Sequence, residues 1–125
     1  SMNLIDARVG TIDGRRATID MGEGATIDMD APPGLTAGMA VTLGIRPEHL
    51  ATGPEGLPVT VRVVEPTGSE THVVCQFRDR ELTAIFRDRV SFRPGDHAVL
   101  ALDTAAAHLF DKATGARIGA AGQTQ

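Results

Sequence analysis

Three short stretches gather side chains that could do chemistry. In the first, an alternating apolar run, Val41, Leu43 and Ile45, ends in Arg46-Pro47-Glu48-His49, three ionisable groups around a proline. In the second, Glu65-Pro66-Thr67-Gly68-Ser69-Glu70-Thr71, two carboxylates and three hydroxyls surround a glycine. The third is Phe110-Asp111, an apolar ring followed by an acid, just after His108. A guanidinium grips a carboxylate or backbone carbonyls in a fixed fork. Arg46 could therefore clamp a strand end to its loop, hold a subunit or regulator, or help capture an anion. The clamp leads, because Pro47 fixes its own φ and drives Arg46 into an extended conformation, so that the strand stops in a defined direction. Thr67, Ser69 and Thr71 near Gly68 offer donors to a dry anion, but Glu65 and Glu70 beside them would repel it. Phe110 reads first as a core anchor and second as a docking residue, with Asp111 as the acid of a turn.

Catalysis finds no support in these groups. Ser69 lies in Gly-Ser-Glu, not in a strand-to-helix nucleophile elbow. The phosphate-cradling GxxxxGK[ST] pattern is missing, and the one lysine, Lys112, has no such context. The four histidines, His49, His72, His97 and His108, show no paired metal spacing, and a single Cys75 completes no metal site or internal disulfide. His72 and Cys75, three apart on a strand, point to opposite faces and cannot act as base and nucleophile. No cofactor is expected in this chain.

Composition narrows the classes further. The chain has 125 residues, 42% hydrophobic and 22% charged, which suits one folded domain. Four Phe and no Trp or Tyr leave the core to Val, Leu, Ile, Ala and Met, and leave too few rings to stack single-stranded nucleic acid. The formal net charge is −4, with acids concentrated in residues 1–55: Asp6, Asp13, Asp20, Glu23, Asp28, Asp30, Glu48 and Glu55. Such a surface repels phosphate backbones, so no nucleic-acid partner is expected. Arg78, Arg80, Arg87, Arg89 and Arg93 make a local basic run, expected to pair with the interleaved Asp79, Glu81 and Asp88. No apolar run approaches the ~20 residues of a membrane span, and no signal-peptide pattern opens the chain. A reducing cytoplasmic setting is inferred. Ser1-Met2 reads either as a cloning remnant or as the interior of a longer polypeptide.

The elements that must position these residues follow a period of two. Arg8–Asp13 and the duplicated Ala-Thr-Ile-Asp-Met at 17–21 and 25–29 read as strands, with Asp-Gly-Arg-Arg and Gly-Glu-Gly as tight hairpin turns. Ala-Pro-Pro-Gly at 31–34 is a break, followed by a strand at about 39–46. A second break is expected at 51–58. Strands then follow at 59–65, with Val59, Val61 and Val63 on one face, at 71–77, with Val73, Cys75 and Phe77 on one face, at 82–86 and at 97–103. Asp103 to Asp111 is expected to form about two helical turns, capped by Asp103 or Thr104. Six to nine short strands with turn chemistry between them point to an all-β small barrel or sandwich.

Four segments in order also resemble one family. Met2–Ile5, Val-Thr-Leu-Gly-Ile-Arg-Pro-Glu-His-Leu at 41–50, Val-Arg-Val-Val-Glu-Pro-Thr-Gly-Ser-Glu-Thr at 61–71 and His-Leu-Phe-Asp-Lys-Ala-Thr-Gly-Ala-Arg-Ile at 108–118 are similar to the C-terminal regulatory domain of ABC-importer ATPase subunits. The subgroup resembled serves maltose, trehalose and glycerol-phosphate systems. The resemblance implies an OB-type fold of short antiparallel strands, called TOBE, over residues 1–118, with a flexible tail at 119–125. It also implies a non-catalytic role: pairing two ATPase subunits and, in some members, accepting regulatory proteins or metabolites. ATP and magnesium would belong to the ATPase domain absent from this chain. The expected partners are a second copy, that ATPase domain and, through it, the membrane subunits. The expected location is the cytoplasmic face of the membrane, without insertion. The alternative is an OB-type domain that binds a small oxyanion or metabolite. Arg46, Pro47, Glu48, His49, Glu65, Gly68, Glu70, Phe110 and Asp111 are the candidate motif or interface residues.

Overall fold

The computed structural model describes residues 1–119. The expected tail lies outside the described residues from position 120 onward. Within them the chain is antiparallel β-structure with two 3-10 turns. The strands are β1 Asn3–Asp13, β2 Arg16–Gly22, β3 Ala25–Asp30, β4 Ala40–Ile45, β5 Leu50–Pro66, β6 Thr71–Phe77, β7 Arg80–Phe86, β8 His97–Leu102, β9 His108–Asp111 and β10 Arg117–Ile118. They form a six-stranded sheet in the order β10-β9-β4-β1-β2-β3 and a four-stranded sheet in the order β7-β6-β5-β8.

Alternation builds the core. Ala17, Ile19 and Met21 of β2 point inward with Ala25, Ile27 and Met29 of β3, while Asp20, Thr26, Asp28 and Asp30 point outward. This is the duplicated hairpin, in register with Ile19 opposite Ile27, and Gly22, Glu23 and Gly24 all take positive φ in its turn. Ile5, Leu43, Ile45, Leu57, Phe77, Leu82, Leu100 and Leu109 complete an interior in which each is under 2% exposed or close to it. Burying each such side chain contributes about 1.5–3 kcal/mol. Phe77 and Phe86 join the aliphatic residues there, so the core is not purely Val, Leu, Ile, Ala and Met.

The two sheets are tied together at one edge. The Asn3 side-chain amide donates to the Thr83 carbonyl at 2.8 Å, and its oxygen accepts from the Thr83 N–H at 2.9 Å. Both backbone groups of an edge residue on β7 are thereby satisfied by a side chain from β1, which blunts that edge. Arg80 reinforces the join by donating to the Leu4 carbonyl.

Four expectations are corrected. The break at 51–58 is strand: β5 continues through it, because Thr52 and Leu57 both face Leu100 and residues 53–56 bulge outward between them. Pro54 falls in that bulge, where no ladder donor is needed. Val63 is 49% exposed, because a second bulge between Val61 and Val63 reverses the parity and turns Val64 toward the core instead. The helix at 103–111 is a single 3-10 turn, Thr104–Ala106, capped by Asp103, whose carboxylate accepts from the Ala105 N–H at 3.2 Å. His108–Asp111 is β9, and pairing with β4 wins because it buries Leu109 opposite Leu43. Among the described residues the strands also number ten, and β5, at 17 residues, is not short.

Candidate functional site

Arg46-Pro47-Glu48-His49 ends β4 as its proline demands. Arg46 is extended (φ −76°, ψ 150°), and one 3-10 turn, Pro47–His49, follows. The His49 N–H donates to the Arg46 carbonyl at 2.9 Å, and the His49 carbonyl accepts from the Asp103 N–H at 3.0 Å. Backbone, not guanidinium, makes the closure. Arg46 and Glu48 are exposed, and among the described residues the Arg46 side chain has no hydrogen-bond or ion-pair partner, which corrects the clamp reading. His49 is half-buried, and its Nδ1 is shielded from solvent with no partner.

The second stretch is self-contained. Glu65, the last residue of β5 but one, lies opposite His72, and Gly68 sits at φ +86° in the turn. The Thr67 hydroxyl donates to the Glu70 carbonyl at 3.1 Å. The Glu70 carboxylate takes His72 Nε2 at 3.3 Å and Arg87 Nε at 3.4 Å. The His72 hydrogen bond holds its carboxyl below the usual range, with desolvation opposing it and Arg87 adding to the lowering. Glu70 is thus engaged within the fold and Thr67 has spent its donor, so the stretch does not present a converging donor set.

Phe110 is not a core residue. Leu109 takes the inward parity on β9, so Phe110 faces the other side and stays half-exposed. With Leu4, Thr42, Asp111, Lys112 and Gly115 it lines a shallow, mainly apolar recess of about 240 Å³. Gly44 lies beneath it, since a Cβ there would meet Met2 Sδ and the Phe110 ring. Asp111 is the turn acid anticipated: its carboxylate accepts from the Ala113 N–H at 2.9 Å.

Among the described residues, three arginines of the basic run reach across the fold, and none of the five forms an ion pair with the interleaved acids. Arg78 donates to the Met21 carbonyl at 3.3 Å, Arg80 reaches Asp6 at 3.5 Å and Arg87 reaches Glu70. Lys112 joins Asp6 at 3.2 Å. These long-range pairings carry no local signal, and neither does Arg117, whose Nη2 lies 2.6 Å from His108 Nδ1. Sequence reasoning passed over both members of that last pair. His108 is held below its usual range by desolvation first, then by Arg117, Arg46 and His49.

Cys75 is 1% exposed, and burial pushes its thiol up to about 11. At pH 8 the native thiol should react with Ellman's reagent about a hundredfold more slowly than in denaturant, because so little thiolate forms. Rapid stoichiometric labelling of the native protein would refute this burial. Among the described residues no group of His, Cys, Asp and Glu could hold a metal ion, and no helix is long and apolar enough to cross a membrane.

The TOBE domain family model matches residues 43–110, and the MalK OB fold domain model matches residues 1–50. The chain is 47% identical over 94% of its length to an uncharacterized ABC transporter ATP-binding protein of Sinorhizobium fredii, covering 31% of that protein. It is 32% identical over 94% of its length to the sn-glycerol-3-phosphate import ATP-binding protein UgpC of Yersinia pestis, covering 33% of it. The chain therefore spans about a third of the length of these curated relatives. Among solved structures, the cytoplasmic molybdate-binding protein ModG with molybdate bound matches with a TM-score of 0.68 at 17% identity, over 86% of this chain and 94% of that one. At that identity the likeness shows the fold alone.

Proposed function

We propose, from the premise that this chain belongs to the TOBE domain family and has the MalK-type OB fold, that it is the non-catalytic regulatory and dimerisation module of an ABC-transporter ATP-binding protein. The observation that carries this reading is relatedness along nearly the whole chain to ATP-binding proteins about three times its length. ATP and magnesium would be handled by the ATPase portion, with no cofactor held by these residues. The parent would work at the cytoplasmic face of the membrane, contacting the membrane subunits through its ATPase domain. Import of a sugar or glycerol phosphate is the substrate class proposed. It is supported by the relative named for sn-glycerol-3-phosphate import.

Pairing through this domain is supported by apolar side chains left at the surface. Leu4 is 47% exposed, and with the half-exposed Phe110 it lines the apolar recess described above. A stable pair would bury about 800 Å² on each chain, in a two-fold arrangement in which one patch meets its own copy. Static light scattering at millimolar concentration should report twice the chain mass. A strictly monomeric mass there would remove dimerisation from the proposal and leave the family assignment standing.

The alternative, an oxyanion held by Thr67, Ser69 and Thr71, is not favoured. The Thr67 hydroxyl is spent on the Glu70 carbonyl, and the Glu70 carboxylate stands beside the turn.

A further inference from the structure

The two edges of the six-stranded sheet meet without pairing. β3 and β10 are its outermost strands, yet Met29 and Asp30 of β3 line the same recess of about 200 Å³ as His108, Arg117 and Ile118. Among the described residues no ladder crosses this seam, so side chains close it. Ile118 rests against the core and lies beside Gly34 in the connection after β3. β10 itself is two residues long, with Arg117 opposite Phe110 and Ile118 opposite Leu109. So short an edge strand has little local stability, and a single side-chain contact is a large share of what holds it. Arg117 supplies that contact, its Nη2 lying 2.6 Å from His108 Nδ1. A guanidinium only donates, so Nδ1 is the acceptor and the imidazole is neutral, with its proton on Nε2. A second proton would set an N–H on Nδ1 against an N–H of Arg117, turning the bond into a contact of two cations.

The carboxylates nearby are engaged elsewhere or turned to solvent. From β3, Asp30 is held by Arg16 at 2.9 Å, and from the turn before β9, Asp103 accepts from the Ala105 N–H. On β4, Gly44 lies opposite His108; Arg46, Glu48 and His49 follow it, and Glu48 is exposed without an ion pair among the described residues. His108 is harder to protonate than a free imidazole, through desolvation first and then through Arg117, Arg46 and His49. With the folded-state value lowered, the Arg117 contact is complete above the ordinary imidazole range and is lost as pH falls through that lower value.

We propose that His108 and Arg117 form an acid-released latch: protonation of His108 detaches β10 from β9, opens the seam and bares the β9 edge. β9 itself stays on β4, because that pairing buries Leu109 opposite Leu43 and takes no part in the latch. The bared edge offers unpaired backbone groups to another strand. The latch is independent of the pairing of chains proposed above, so either can fail alone.

Two neighbouring amides separate the movements. The Asp111 N–H donates to the Ala116 carbonyl at 2.8 Å within the β9–β10 hairpin, whereas the Lys112 N–H donates to the Ala40 carbonyl at 3.3 Å, on the β4 side. Hydrogen exchange of the full chain is followed by NMR at about pH 7.5 and about pH 5, on either side of the ordinary imidazole value, and referred to the intrinsic rate at each pH. Asp111 protection is expected to fall about tenfold in acid while Lys112 protection holds. The fall should track the titration of the His108 ring. His108→Gln keeps a side-chain acceptor and cannot ionise, so Asp111 should stay protected at both pH values. Arg117→Met should lower Asp111 protection about tenfold already at the higher pH. Acid loss that persists in His108→Gln, or Asp111 protection undisturbed in Arg117→Met, would overturn the proposal. So would unchanged Asp111 protection in acid, the result expected if Arg117 merely turned to Asp30. A parallel fall at Lys112 would mean general loosening of the sheet and would count equally against the latch.

Discussion

Gly56→Ala is expected to lower the thermal unfolding midpoint by about 12 °C or more, the equivalent of about 3 kcal/mol in a domain of this size. Two independent costs meet at this residue. Its φ is +149°, a region that side-chain-bearing residues rarely adopt, and a Cβ built there would run into the carbonyl oxygen of Leu100 and the backbone of Ala101. Backbone cannot step aside as a flexible side chain can. The close approach exists because residues 53–56 bulge from β5 and the chain must rejoin β8 at once, with Leu57 opposite Leu100. Gly68→Ala is the control: φ is +86°, but nothing lies within 4 Å of the new atom. Its cost should be about 1–2 kcal/mol, from conformation alone. Equal losses in the two variants would mean that β5 and β8 do not approach as described.

Phe77→Ala should cost about 3–5 kcal/mol, read as a fall in the urea midpoint at unchanged slope. Phe77 is 1% exposed and among the largest fully buried side chains. It ends β6 immediately before Arg78, whose φ of +55° turns the chain into β7. Phe77 also lines a recess with Ile5, Asp6, Arg80 and Lys112. Removing the ring therefore loosens the place where Arg80 holds the Leu4 carbonyl and Asp6, as well as opening a cavity. Phe77→Leu, which keeps most of the volume, should recover more than half of the loss. A loss below about 1 kcal/mol for the alanine variant would show that the ring does not anchor the core.

The candidate residues were legible in unequal measure. Pro47 announced the end of β4, and that end is made by backbone hydrogen bonds for which proline sets the direction. Asp111 was readable as a turn acid because its side chain bonds to a backbone group two residues ahead, a local event. Phe110 was misassigned because its face depends on β9 being a strand, which depends in turn on β4 lying beside it. The partners of Arg78, Arg80 and Arg87 lie on other strands, so nearby acids were the wrong place to look.

Alternation and turn residues alone determined that this is an antiparallel all-β chain. They placed the β2–β3 hairpin and the shared face of Val73, Cys75 and Phe77 on β6. These follow from period-two burial and positive-φ turns, which are written within a few residues. Tertiary structure decided the rest: the passage of β5 through Pro54, the reversal at Val63, strand over helix at His108–Asp111, and the contact of Arg117 with His108. Each of these is settled by the register and neighbours of a strand distant in the chain, and short-range pattern holds no record of which strand that will be.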